Sequence, residues 1–193
     1  MVTKLGFNGF LSETLNYNEK KVQRGKAELI EAANFIQDKD KLNFYEKMER
    51  FQKLNELRPD VSVNTLHAKV AFHPNDAATL TDQKLVEIAD AYMKKIGFEG
   101  QPYLVYKHHD TAIPHVHIVS TIIEPDGHRI PTHNMGKVQS EQARKEIEIE
   151  FNIEKAENHK QQKEFQILPV NVQKVAYGEQ GSKEAMQDRK SVV

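Results

Sequence analysis

The clearest pattern lies in the middle of the chain. Two β-branched, apolar runs, Tyr103 to Lys107 and Val116 to Ile123, read as strands, and a polar stretch ending at Pro114 separates them. The result is a hairpin-like pair. Upstream, helical spacing predicts helices over Lys26 to Phe35 and Asp40 to Leu57, the second with Leu42, Tyr45, Met48, Phe51 and either Leu54 or Asn55 as its core stripe. Arg58-Pro59-Asp60 ends it, because a residue before proline is biased out of the helical region. Val63 to Phe72 alternates like a strand, with Val63, Thr65, His67 and Lys69 on one face and Leu66, Ala68, Val70 and Phe72 on the other. His67 is expected at the sheet's edge rather than at a metal. A helix begins at Thr81 or Asp82, buries Leu85, Ile88, Ala89, Tyr92 and Ile96, and stops at Gly97.

The flanks are less regular. Val2 to Phe7 reads as a first strand, and Leu11 to Val22 as a short helix or ordered loop. Tyr17 lies between Asn16 and Asn18 there, and asparagine beside an aromatic argues for an irregular, partly exposed backbone. Past the hairpin, Glu124-Pro125-Asp126-Gly127 turns into a short strand, His128 to Pro131, and Ser140 caps a charged helix from Glu141 to Phe151. After about Glu157 the chain is polar, with a strand expected at Phe165 to Val170 and a helix from Ser182. The expected organisation is a catalytic domain over 1–157 and an extension over 158–193 that reads as the start of a longer region.

Composition narrows the class. With 38% hydrophobic and 28% charged residues, no apolar stretch near the roughly 20 residues of a membrane span, and no signal-peptide pattern at the N-terminus, the expectation is a cytoplasmic protein. Cysteine is absent, which excludes disulfides and thiolate metal sites. The 27 basic and 28 acidic residues nearly cancel, so global charge does not point to nucleic acid. Locally, Lys20, Lys21, Arg24 and Lys26 form a basic cluster next to Glu19 that suits a phosphate backbone.

Four of the nine histidines fall in the hairpin. His115 and His117 share one face of their strand while Val116 and Ile118 take the other, so two imidazoles stand side by side. His108 ends the preceding strand, where the fold-back brings it within reach of both. Three neutral imidazoles with open coordination positions suit a catalytic metal site. Asp110 is placed to accept the second ring N–H of one histidine. The competing reading is a polar, solvated strand face, which would explain a lone histidine pair better than this set of four.

With these residues in hand, the sequence resembles conjugative relaxases of the MobA type, among the endonucleases named for a histidine-hydrophobic-histidine motif. Asn16-Tyr17-Asn18-Glu19-Lys20-Lys21-Val22, Gln101 to His108 and Pro114-His115-Val116-His117-Ile118-Val119-Ser120-Thr121 look most like versions from mobilisable elements of Bacteroides-like bacteria. The likeness runs from about Leu5 to Phe151. It implies an α+β fold with a central antiparallel sheet and helices packed on it. It also implies strand-specific nicking at an origin of transfer through a tyrosine ester, with Tyr17 as nucleophile and His108, His115 and His117 holding a divalent ion. Asp110 would support them. Mg²⁺ or Mn²⁺ is the expected ion, with Zn²⁺ as a further candidate, and an accessory mobilisation protein is an expected partner. Many relatives carry Asn shortly after the histidine pair, where this chain has Ser120 and Thr121, and the doubled His108-His109 leaves either as third ligand, relatives favouring His108.

A phenol with a pKa of about 10 is only on the order of 0.1% ionised at neutral pH, so Tyr17 needs a base or an electropositive site. The metal and Lys20, Lys21 or Arg24 are candidates to supply it. Three other functions fit parts of the pattern: a rolling-circle initiator or transposase, a three-histidine hydrolase of a small molecule, and a non-catalytic DNA-binding module. The position of Tyr17 before the histidine pair favours the relaxase over the initiator.

Overall fold

The computed structural model describes residues 1–157. In chain order they form β1 (Val2–Asn8), α1 (Leu11–Gln23), β2 (Ala27–Ala33), α2 (Phe44–Asn55), β3 (Thr65–Ala71), α3 (Asp82–Lys95), β4 (Tyr103–His108), β5 (His115–Thr121) and α4 (Gln139–Glu150). The five strands make one sheet in the order β1-β3-β5-β4-β2, and every neighbouring pair is antiparallel. This is the expected α+β architecture. The histidine strand β5 is central, and all seven of its residues are buried.

Burial on both sides follows from the alternation along β3, β4 and β5. Leu66, Ala68, Val70, Val116 and Ile118 face α3 and α4, where Tyr92, Met93, Ala143 and Ile147 complete the larger core. Leu104, Tyr106 and Val119 face the other way, under Leu11 and Leu15 of α1 and Phe51 of α2. The three site histidines occupy this second face, at the end of the sheet that α1 covers.

Segment α1 is a regular helix despite its asparagines. Leu11, Thr14, Leu15 and Asn18 recur at three- and four-residue spacing and are buried. Gly25, at φ +64°, ends the turn: its N–H bonds to Val22 O at 2.9 Å, and Lys26 N–H reaches Lys21 O at 2.8 Å, a Schellman-type closure. The chain then reverses into β2. The helix expected over Lys26 to Phe35 is therefore a strand, because pairing with β4 overrides the helix-forming composition of Ala27-Glu28-Leu29.

Four further expectations change. Tyr45 is exposed rather than part of the α2 core stripe, while Phe51 and Leu54 are buried as expected. His128 to Pro131 forms no strand, only an isolated bridge between Ile123 and Arg129. Ser140 lies inside α4 rather than capping it, and its hydroxyl shares hydrogen bonds with Tyr92 at 2.7 Å and Thr3 at 2.9 Å. His67 is on an inner strand, not at an edge. By contrast, Thr81 caps α3 as expected, accepting from Lys84 N–H at 3.2 Å. The strand expected at 165–170, the helix from Ser182 and the extension over 158–193 all lie outside the described residues.

A buried polar contact fixes α1 on the sheet. Lys47 of α2 donates to Glu19 at 2.8 Å, and the Tyr106 hydroxyl donates to the same carboxylate oxygen at 2.6 Å. Helix α1 is thereby tied to both α2 and β4 by groups that are largely out of water.

Candidate active site

The hairpin brings the histidines together through its register. His108 lies directly opposite His115 on the β4–β5 ladder, and His117 is two residues further along the same face. His108 and His117 stack with ring centroids 4.0 Å apart and planes 10° from parallel. One ring nitrogen from each of His108, His115 and His117 lies within 4.8 Å of the others, and all three residues are buried. His109, the alternative to His108, points out to solvent.

Burial keeps these rings neutral. It is the largest cause of each shift, lowering His108 to about 4 and His117 to about 2, with further lowering by Lys21 at the first and by neighbouring histidines at the second. His115 is also lowered by burial. Each ring therefore carries one lone pair and one N–H. His108 Nε2 donates to Asn18 Oδ1 at 2.9 Å, since the Asn18 amide is itself committed to Thr14 O. His115 Nδ1 donates to Ile113 O at 2.9 Å. These bonds leave Nδ1 of His108 and Nε2 of His115 as the lone-pair atoms. His117 Nδ1 meets His67 Nε2 at 2.8 Å.

The donor set suits a divalent ion. Neutral imidazoles need lose no proton to bind one, and their outward nitrogens are already oriented, which is the usual arrangement around metal-ligating histidines. Mn²⁺ and Zn²⁺ match three nitrogen ligands better than Mg²⁺ does.

Asp110 does not take the expected role of accepting a ring N–H. Its Oδ1 is 3.8 Å from His108 Nδ1 and 3.7 Å from His115 Nε2, too far for hydrogen bonds and on the lone-pair side of both rings. Its Oδ2 instead pairs with Lys21 at 2.7 Å. The ring N–H groups are held by Asn18 and the Ile113 carbonyl, neither of which the sequence singles out. His67 completes the set of missed residues; its place on the face with Lys69 is readable from the alternation, but its approach to His117 depends on β3 pairing with β5.

Tyr17 sits over this centre. The residue is 45% exposed, and its ring lies 5.9 Å from His117 and 6.1 Å from both His108 and His67 between centroids. Its hydroxyl accepts a 2.7 Å hydrogen bond from Lys21, one turn further along α1. Burial works against charge on Lys21, but its bonds to Asp110 and Tyr17 outweigh that and raise the ammonium above its ordinary value. Lys21 is therefore held as a cation beside the Tyr17 oxygen. Lys20, Arg24 and Lys26, the rest of the basic cluster, are exposed around the end of α1.

The family model "Relaxase: MobA/VirD2-like, nuclease domain" matches residues 17–153, from Tyr17 to the segment after α4. The chain belongs to the MobA/VirD2-like relaxase nuclease family. No curated protein and no solved structure gives a significant match. Membership makes this a relaxase-type nuclease domain that acts on DNA, and the sheet with its helices is consistent with it. Among the described residues, no helix is long and apolar enough to cross a membrane.

Proposed function

We propose that this relaxase domain nicks one DNA strand through Tyr17 and keeps the cut end as a tyrosyl ester. The observation that carries the proposal is the exposed residue Tyr17, its hydroxyl held by Lys21, with its ring against the buried histidines. In the step, the Tyr17 oxygen forms a bond to phosphorus as the bond to the 3′ oxygen breaks. The phenolic proton leaves to solvent, and the 3′ oxygen takes up a proton to become a hydroxyl. The product is a 5′-phosphotyrosine and a free 3′ end.

Each residue has a part. Lys21 donates to the tyrosine oxygen and stabilises negative charge that gathers on it. Asp110 holds Lys21 in place. His108, His115 and His117 would hold the divalent ion, Mg²⁺ or Mn²⁺ by the family likeness and Zn²⁺ by the ligand type. When bound, such an ion polarises the phosphate and offsets charge developing on it. Exposed Lys20, Arg24 and Lys26 supply phosphate contacts that position the strand. Because the ester conserves the phosphodiester's energy, the same site can run the step backwards and rejoin ends, which suits mobilisation from an origin of transfer. DNA single-stranded near the nick is the expected substrate, with an accessory mobilisation protein as partner.

The test is to incubate the full chain and Mn²⁺ or Mg²⁺ with DNA flanking its own gene, supercoiled and as single strands, and to look for a covalent adduct after denaturation. Wild type should form an adduct and Tyr17→Phe none. Cleavage without an adduct, or an adduct that survives Tyr17→Phe, would overturn the proposal.

A further inference from the structure

We infer that His67 is a positioning residue for the metal centre: it selects the ring tautomer in which His117 presents Nε2 as a ligand. The inference rests on the three histidines holding a metal ion. His67 stands on β3 opposite Val119, so it is the diagonal neighbour of His117, whose direct partner on β3 is Lys69. Its Nε2 lies 2.8 Å from His117 Nδ1, with ring centroids 4.9 Å apart.

Two neutral imidazoles meeting nitrogen to nitrogen share one proton between those atoms, so one ring donates and the other accepts. If His117 donates, its Nε2 carries a lone pair and can bind an ion. If His67 donates, His117 Nδ1 accepts, Nε2 carries the hydrogen, and that nitrogen is closed to a metal. For His108 and His115 the matching choice is made by groups that accept from the ring, Asn18 Oδ1 and the Ile113 carbonyl. His117 has His67 in the same position. His67 also lies edge-on to the Tyr17 ring at 6.1 Å, so one side chain contacts both a candidate ligand and the candidate nucleophile.

Affinity for Mn²⁺ and Zn²⁺ should be measured by titration calorimetry with a competing chelator on wild type, His67→Phe and His67→Gln. The phenylalanine variant cannot accept a hydrogen bond and should bind about 10- to 100-fold more weakly. The glutamine variant keeps a carbonyl acceptor and should recover part of that loss. Nitrogen-15 NMR of the metal-bound wild type, which depends on no variant, should find His117 protonated at Nδ1. Unchanged affinity in His67→Phe, or a hydrogen on His117 Nε2 in the metal-bound protein, would overturn the inference. So would a wild type that binds neither ion. A wild type that binds ion and shows the expected His117 tautomer but forms no DNA adduct would remove the tyrosine proposal and leave this one standing.

Discussion

Lys21 donates a 2.7 Å hydrogen bond to the hydroxyl of Tyr17, one helical turn before it on α1. The same ammonium pairs with Asp110 at 2.7 Å, which ties the helix to the loop between the two histidine strands. A lysine in the middle of a basic cluster is thus turned inward, away from the role that its neighbours are free to play.

Lys21→Met should therefore slow adduct formation on the order of 10-fold or more at saturating DNA, through loss of a donor to the reacting oxygen. The salt dependence of single-stranded DNA binding should stay as in wild type. Lys20→Met or Arg24→Met should do the reverse, lowering affinity and reducing the log–log salt slope by about 0.7 for each lost phosphate contact. Binding titrations across salt concentrations, with single-turnover adduct assays, separate the two effects. A Lys21→Met slope that falls as much as the Lys20→Met slope would make Lys21 a phosphate contact instead.

Lys47→Met should destabilise the domain by about 3 kcal/mol, because it leaves the Glu19 carboxylate poorly solvated beside Tyr106. Urea denaturation would show a lower midpoint at an unchanged slope. The same contact seats the helix that carries Tyr17, so adduct formation should weaken in parallel. A midpoint within experimental scatter of wild type would mean that the pair contributes little.

The metal-free protein should lose stability as pH falls from about 6.5 toward 4. His108 titrates near 4 in the folded state against an ordinary value of 6.5, and His117 lower still. Between those values the unfolded chain binds protons that the folded one does not, so stability rises with pH across the window and is lost as pH drops through it. Above 6.5 these groups contribute no further slope. Urea midpoints measured from pH 4 to 8 test this, and His108→Asn should flatten the acid limb. A flat profile in wild type would show that the rings take up protons over the same pH range in the folded protein as in the unfolded chain.

Local pattern was enough for much of this protein. The β-branched runs around Pro114 identify β4 and β5, alternation puts His115 and His117 on one face, and three-four spacing with Thr81 and Gly97 outlines α3. Each of these depends on near neighbours, whose geometry is set by the backbone period. The resemblance to relaxases rests on the same short stretches, and the family match bears it out. Where long-range pairing competes with local preference, the sequence misleads. Residues 27–33 have the composition of a helix and become a strand because β4 offers an edge to pair with. Likewise, Tyr17 sits in a regular helix because Leu11, Leu15 and Asn18 gain burial against the sheet. Only the tertiary structure decided what surrounds the histidines: Asn18, the Ile113 carbonyl and His67 reach them from three different segments, and Lys21 claims Asp110 across 89 residues of chain. Apart from the bond to Ile113, two residues from His115, these are hydrogen bonds between groups distant in sequence, and no periodicity along the chain records them.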